Sequence, residues 1–251
     1  MQNLYLGTIG WSYDFWKGKF YPNKTASKDY LAYYAQQFNT VEVDSTFYRI
    51  PAQTTVTNWK QQTSANFLFS LKFPQLVTHI RMLKDCEYET EVFLKTVGLL
   101  GVKLGVLLLQ FPPNFDVDHL PDLAAYLEKL PKIYRYVVEV RNKSWLTQDF
   151  YTLLEINEVA LAWVDSPLMA KISEVTGDFL YIRWEGDRKR VTGTLGKIEV
   201  DRAKDLKAEA AKLAPFLGKM DVFGYFGKYY SGYPPSDIAI IQDYLEANKA
   251  G

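Results

Sequence analysis

The chain of 251 residues reads as an α/β protein with the (β/α)8 TIM-barrel fold, residues 1–251 forming a single domain. Three observations predict this. Eight strand-like runs recur along the sequence, helix-like segments fill most of the gaps, and no run of turn-linked hairpins breaks the alternation; that is the pattern of parallel pairing. The length agrees, because barrels of this kind use about 250 residues as one domain.

The strand-like runs are residues 4–10, 40–45, 67–73, 105–110, 134–141, 159–165, 179–184 and 221–226. In the first gap, Tyr30, Leu31, Tyr34 and Phe38 form one apolar face of a helix over 28–38, with Ser27 as its N-cap. Residues 87–98 and 120–130 carry the same periodicity. The gap 166–178 is barely long enough for a crossover, so a reduced helix is expected between strands 6 and 7. A long loop follows strand 7, opening with Gly186-Asp187-Arg188-Lys189-Arg190 and settling into a helix over 202–213. A terminal helix over 236–248 takes Ser236-Asp237, after Pro234-Pro235, as its cap.

Composition narrows the function classes. Hydrophobic residues make up 48% and charged residues 23%, which excludes disorder. Lys+Arg and Asp+Glu number 29 each, so there is no whole-molecule basic field to drive non-specific nucleic-acid binding. The single Cys86 excludes an intramolecular disulfide and a Cys-based zinc cluster, and His79 with His119 are too few for a three-His zinc site. The first residues lack a basic n-region and a long apolar core, and the apolar stretch 97–109 is broken by Lys103. The expectation is a cytoplasmic protein with no membrane partner.

Alternation along each strand assigns the lumen. With Val41 and Val43 facing the helices, Glu42 and Asp44 point inward, and the same logic places Ser70, Lys72, Glu139, Arg141, Tyr181 and Arg183 inside, with Gln110 beside Leu108. In strand 6, Ala160, Ala162 and Val164 are read as helix-facing, leaving Trp163 and Asp165 inward. The polar members gather at the C-terminal strand ends, where barrel enzymes carry their sites. Most of these ions must be paired, and a Glu139–Arg141 network that fixes strand register is the structural alternative to a catalytic one.

The strand-end motifs resemble the YecE-like family, domain of unknown function 72. The matching blocks are Gly7-Thr8-Ile9-Gly10-Trp11-Ser12-Tyr13 with Phe20-Tyr21-Pro22, Val41-Glu42-Val43-Asp44-Ser45-Thr46-Phe47-Tyr48 with Pro51, and Phe69-Ser70-Leu71-Lys72-Phe73-Pro74 with Thr78-His79. Leu109-Gln110-Phe111-Pro112-Pro113 and Val138-Glu139-Val140-Arg141 with Ser144-Trp145 continue the match. The resemblance implies a TIM barrel without a settled activity; kinship with barrel endonucleases, and so a hydrolase or lyase reaction, is fold analogy alone. Three positions depart from the family pattern: Asn142 and Glu185 stand where histidines are usual, and Gly227-Lys228 where two asparagines are.

The candidate catalytic set is Glu42, Asp44, Lys72, Glu139, Arg141 and Asp165. Glu42 and Glu139 suit the acid and base of a glycoside-type reaction. Lys72 among cations suits a Schiff base, with a salt bridge to Asp44 or Glu42 as its plainer alternative. No resident cofactor is expected; a magnesium ion would have to use Glu42, Asp44 and Asp165. Candidate substrate-binding residues are Trp11, Ser45, Phe47, Tyr48, Gln110, Trp145, Trp163, Arg183, Arg188 and Lys228. Aromatic faces suit sugar rings or bases, and loops after strands 7 and 8 commonly hold phosphate. The expected partner is a small polar ligand: a sugar, nucleotide or phosphorylated compound. Nucleic acid laid across the basic strand-7 loop is the second reading.

Overall fold

All eight expected strands form. In the computed structural model, which describes residues 3–167 and 169–248, they are β1 (Leu4–Thr8), β2 (Thr40–Val43), β3 (Leu68–Lys72), β4 (Leu104–Gln110), β5 (Arg135–Glu139), β6 (Ala160–Asp165), β7 (Phe179–Gly186) and β8 (Asp221–Tyr229). Met1, Gln2 and Leu168 lie outside the described residues. Every pairing is parallel and the order runs β1-β8-β7-β6-β5-β4-β3-β2. The two ends of that order meet through a parallel bridge between Ile9 and Glu42, where Gly10 N–H donates to the Glu42 carbonyl at 2.8 Å. The result is a nearly closed eight-stranded barrel.

The seam depends on a glycine. A Cβ at Gly7 would stand 2.2 Å from the Thr40 carbonyl oxygen, which is β2 backbone and cannot rotate away. Gly7→Ala is expected to force β1 and β2 apart and destabilise by about 1–3 kcal/mol, read by urea denaturation. An unchanged midpoint would show that the seam is not a stability determinant.

Among the described residues six α-helices connect the strands and a seventh follows β8: α1 (Tyr30–Gln37), α2 (Gln53–Gln61), α3 (Glu87–Val97), α4 (Leu120–Lys129), α5 (Gln148–Ile156), α6 (Ala203–Leu213) and α7 (Pro234–Ala247). The sequence periodicity did not single out α2 or α5. Three expectations change. Ser27 opens a 3₁₀ turn, Ser27–Asp29, and makes no capping bond, so α1 starts at Tyr30. Helix α7 begins at Pro234, whose fixed φ suits a first turn. Ser236 and Asp237 therefore lie inside the helix, and buried Asp237 accepts from Ser231 Oγ at 2.6 Å. Residues 169–178 hold no helix: Thr176 Oγ1 donates to the Val159 carbonyl at 2.8 Å and Trp163 Nε1 to the Glu174 carbonyl at 2.8 Å, tying an irregular segment to β6. Among the described residues no helix is long and apolar enough to cross a membrane.

The lumen is packed by Val106, Leu108, Val137, Ala160, Ala162, Val164, Phe179, Tyr181, Phe223 and Tyr225. Two larger clusters lie between sheet and helices, one around Val41, Val43, Phe69, Leu71, Val138 and Val140, the other around Ile182, Trp184 and Phe226. This confirms the inward faces of β2, β3, β4, β5 and β7 and reverses that of β6. Trp163 is registered with Ile182 and Asp165 with Trp184, both helix-facing residues, and parallel register partners share a face. The small Ala160 and Ala162 sit inside because Tyr181, Tyr225, Phe179 and Phe223 from the neighbouring strands fill the space.

Candidate functional site

The inward alternation of five strands carries charged and amide groups to one end of the lumen: Glu42 from β2, Lys72 from β3, Gln110 from β4, Glu139 from β5, and Arg183 with Glu185 from β7. Arg141 joins them two residues beyond Glu139. Arg183, 3% exposed, is the hub. Its Nε and Nη2 donate to the two Glu42 oxygens at 2.9 and 2.8 Å, a bidentate fork, and Nη1 donates to Glu139 and Glu185. Tyr181 Oη donates to Glu42 Oε2 at 2.7 Å. Arg141 closes the ring, Nε to Glu139 Oε1 at 2.8 Å and Nη2 to the Glu185 oxygens at 2.8 and 3.0 Å. Beneath this floor, Tyr225 Oη meets Thr40 Oγ1 and Ser70 Oγ, each at 2.8 Å.

This ring assigns chemistry. Burial opposes ionisation of Glu139, yet Arg183, Arg141 and Lys72 together hold its carboxyl down at about 2. Such a group is an unsuitable general acid at neutral pH. Glu42 is locked in the Arg183 fork, so the Glu42/Glu139 acid–base pair expected from sequence is occupied by ion pairing. Glu139 and Arg141 are paired directly, Arg141 Nε donating to Glu139 Oε1.

Lys72 differs from the other ions. No carboxylate lies within ion-pairing distance of it among the described residues, so the expected salt bridge to Asp44 or Glu42 is absent. Its Nζ donates instead to Gln110 Oε1 and stands 3.9 Å from the centre of the Phe47 ring. Gln110 is oriented for this role, because its Nε2 donates to the Phe111 carbonyl at 2.8 Å. Burial, followed by the Arg183 charge, brings the Lys72 amine down to about 8. His79 packs edge-on to Phe47 at 4.8 Å, with Nδ1 2.9 Å from Thr78 Oγ1. Burial and the nearby Lys72 and Arg141 charges bring it down to about 4, leaving it neutral. The Leu76–Ile80 helical turn after β3 carries it back to the mouth.

The remaining candidates divide. Asp44 ends β2 at the mouth, its Oδ1 beside Gly10. Phe47 roofs Lys72, while Ser45 helps line a cleft of about 440 Å³ with Arg49, Pro51 and Trp59, and Tyr48 is exposed. Trp11 packs edge-on to Trp59 at 5.7 Å. Lys228, expected in a loop after strand 8 but lying within the longer β8, is 5.1–5.8 Å from the Tyr13, Phe15 and Tyr229 rings, and Arg188, after β7, is 4.8 Å from Tyr229, forming a cationic rim. Three candidates leave the site. Asp165 faces outward and pairs with Lys171 at 3.4 Å; Trp163 packs on Phe216. Trp145 is fully buried between Phe115 and Phe150, its Nε1 donating to the Phe115 carbonyl at 2.6 Å. The magnesium set Glu42, Asp44 and Asp165 is thereby dispersed, and no group of three or more metal-ligating side chains forms among the described residues. Glu185 was missed as a participant: noted in the sequence only as a departure from the family pattern, it becomes the third carboxylate of the ring. The roomier cleft, about 600 Å³ between α3 and α4, is lined by Leu94, Tyr126, Leu130 and Ile133 on the outer wall and holds none of these groups.

Fold and site define a (β/α)8 barrel whose C-terminal mouth is floored by an ion-paired ring. The family profile described as "Protein of unknown function DUF72" matches residues 5–251. The chain belongs to this family, the YecE-like proteins. UPF0759 protein YecE of Escherichia coli (strain K12) is 32% identical over 145 residues, 58% of this chain and 51% of that protein. UPF0759 protein YunF of Bacillus subtilis (strain 168) is 32% identical over 173 residues, 65% of this chain and 59% of that protein. The matches thus span just over half the length of these curated relatives. Among solved structures, a DUF72 family protein of Thermotoga maritima superposes with TM-score 0.77 at 26% identity, covering 98% of this chain and 99% of that one. One from Enterococcus faecalis, at 21% identity and TM-score 0.73, covering 97% and 95%, shares the fold.

Proposed function

We propose that the C-terminal mouth binds a small polar ligand: a sugar, nucleotide or phosphorylated compound. One observation carries the reading, the convergence of polar side chains from five strands on a single end of an otherwise apolar lumen. The Glu42–Arg183–Glu139–Arg141–Glu185 ring pairs each of its three carboxylates with one or both of two arginines and serves as a rigid floor. Lys72, Gln110 and Asp44 face the ligand, Phe47 contributes an apolar surface, and Lys228 with Arg188 offers an anion contact at the rim.

Thermal melting against a panel of sugars, nucleotides and sugar phosphates tests this. At least one class is expected to raise the melting temperature of the wild type, because a ligand that binds only the folded state stabilises it. Lys72→Met is expected to keep the fold, since it breaks no ion pair, and to lose that rise. A panel that shifts neither protein would overturn the reading. A nucleic-acid partner rests on the exposed Arg188, Lys189 and Arg190 of the strand-7 loop; its signature is binding that falls steeply with salt.

A further inference from the structure

We propose that Lys72 is a nucleophile that forms a Schiff base with a small aldehyde or ketone entering the barrel mouth. The inference rests on the ligand-binding reading above and narrows its substrate class to carbonyl compounds.

The argument is geometric. Lys72 ends β3, is 9% exposed, and points its Nζ into the polar end of the lumen. Three carboxylates stand in the neighbouring ring, and the two arginines occupy all three. Nζ is left with an amide. Gln110 cannot readily exchange its two ends, because Nε2 is engaged by the Phe111 carbonyl, so Oε1 faces the lysine. A carboxylate in that place would fix the ammonium; an amide oxygen accepts from the ammonium and from the neutral amine alike. Burial and the Arg183 and Arg141 charges favour the neutral form, while the Phe47 ring face and the Glu139 and Glu42 charges favour the ammonium. The resulting value of about 8 leaves a substantial neutral fraction near neutral pH. No comparable role is open to the arginines, which stay protonated.

The step balances without a redox partner. The ammonium releases one proton to solvent, and the nitrogen lone pair attacks the carbonyl carbon. The C–N bond forms as the C=O π pair moves to oxygen. That oxygen takes one proton from nitrogen and one from solvent and leaves as water, giving the protonated imine. Ammonium plus carbonyl becomes iminium plus water.

Reductive trapping tests it on the intact chain. The protein is incubated with D-glyceraldehyde 3-phosphate or with pyruvate and cyanoborohydride, and the modified lysines are read by peptide mass spectrometry. At about pH 7.5, an amine at about 8 has a neutral fraction a few hundredfold above that of an ordinary lysine. Lys72 is therefore expected to be modified at least about tenfold faster than exposed Lys189 and Lys219. Gln110 is a positioning residue: Gln110→Glu places a carboxylate beside Nζ and is expected to slow labelling at neutral pH and move its pH profile upward. A purely structural Gln110 would leave the profile in place, which would count against the proposal. Modification of Lys72 at or below the rate of Lys189 and Lys219 overturns it. If ligands raise the melting temperature while Lys72 stays unmodified, binding stands and the covalent role falls. If Lys72 is modified selectively while the melting panel is blank, the covalent role stands and the broader ligand reading falls.

Discussion

Arg183→Met is expected to destabilise the protein by about 3–5 kcal/mol, measured by urea denaturation near neutral pH, because it strands the buried Glu42 carboxylate, which ion-pairs with Arg183, and leaves Glu139 with Arg141 alone of its two guanidiniums. Glu42 and Glu139 are 0% and 1% exposed, and Arg183 donates to both. Methionine fills similar volume and supplies no donors. Acid titration gives a second readout. In the wild type Glu139 is held at about 2, below its ordinary value, so it contributes stability that is fully present above that ordinary value and is lost as pH falls toward 2. In Arg183→Met burial dominates and the carboxyl pKa rises, so protonation relieves the fold. Lowering pH from about 6 to 4 should then narrow the gap to wild type. A gap that does not narrow would show that Arg183 is not what keeps Glu139 ionised. Arg183→Lys should fall between the two, since an ammonium cannot reproduce the fork.

Trp145→Ala is expected to cost about 3–5 kcal/mol while leaving the ligand-induced rise in melting temperature unchanged in size. The indole is 0% exposed, with its ring 5.4 Å from Phe115 and 4.9 Å from Phe150, and truncation removes both contacts and the bond to the Phe115 carbonyl. Sequence placed Trp145 on the binding rim; the structure makes it a core residue behind the β5 loop. A stable variant with a lost ligand response would reverse that assignment. Tyr48→Ala, at an exposed ring, is the matching control with little expected effect on stability.

Strand number, order and most lumen faces were legible because alternation is a local property. Glu42, Lys72, Glu139 and Arg183 each stand out as polar residues between helix-facing apolar neighbours, and each does face inward. The same rule failed on β6. A strand of Ala, Leu, Ala, Trp, Val and Asp offers a single polar residue at its end, which misdirected the reading, and its inner face is decided by the bulk of Tyr181, Tyr225, Phe179 and Phe223 on other strands. His79 was not among the site candidates, because it lies beyond β3 and only the π-helical turn Leu76–Ile80 brings it back over the mouth. Glu185 was visible only as a departure from the family pattern, with no local signal that two arginines would bind it.

The sequence by itself determined an eight-strand barrel and placed Glu42, Lys72, Glu139, Arg141 and Arg183 at its C-terminal end. Which of them pair was decided by tertiary structure alone. Arg183 lies 141 residues from Glu42 and 44 from Glu139, and Lys72 lies 38 from Gln110. Only closure and inter-strand register fix those distances, and they consume every carboxylate of the ring on arginine, leaving Lys72 with an amide.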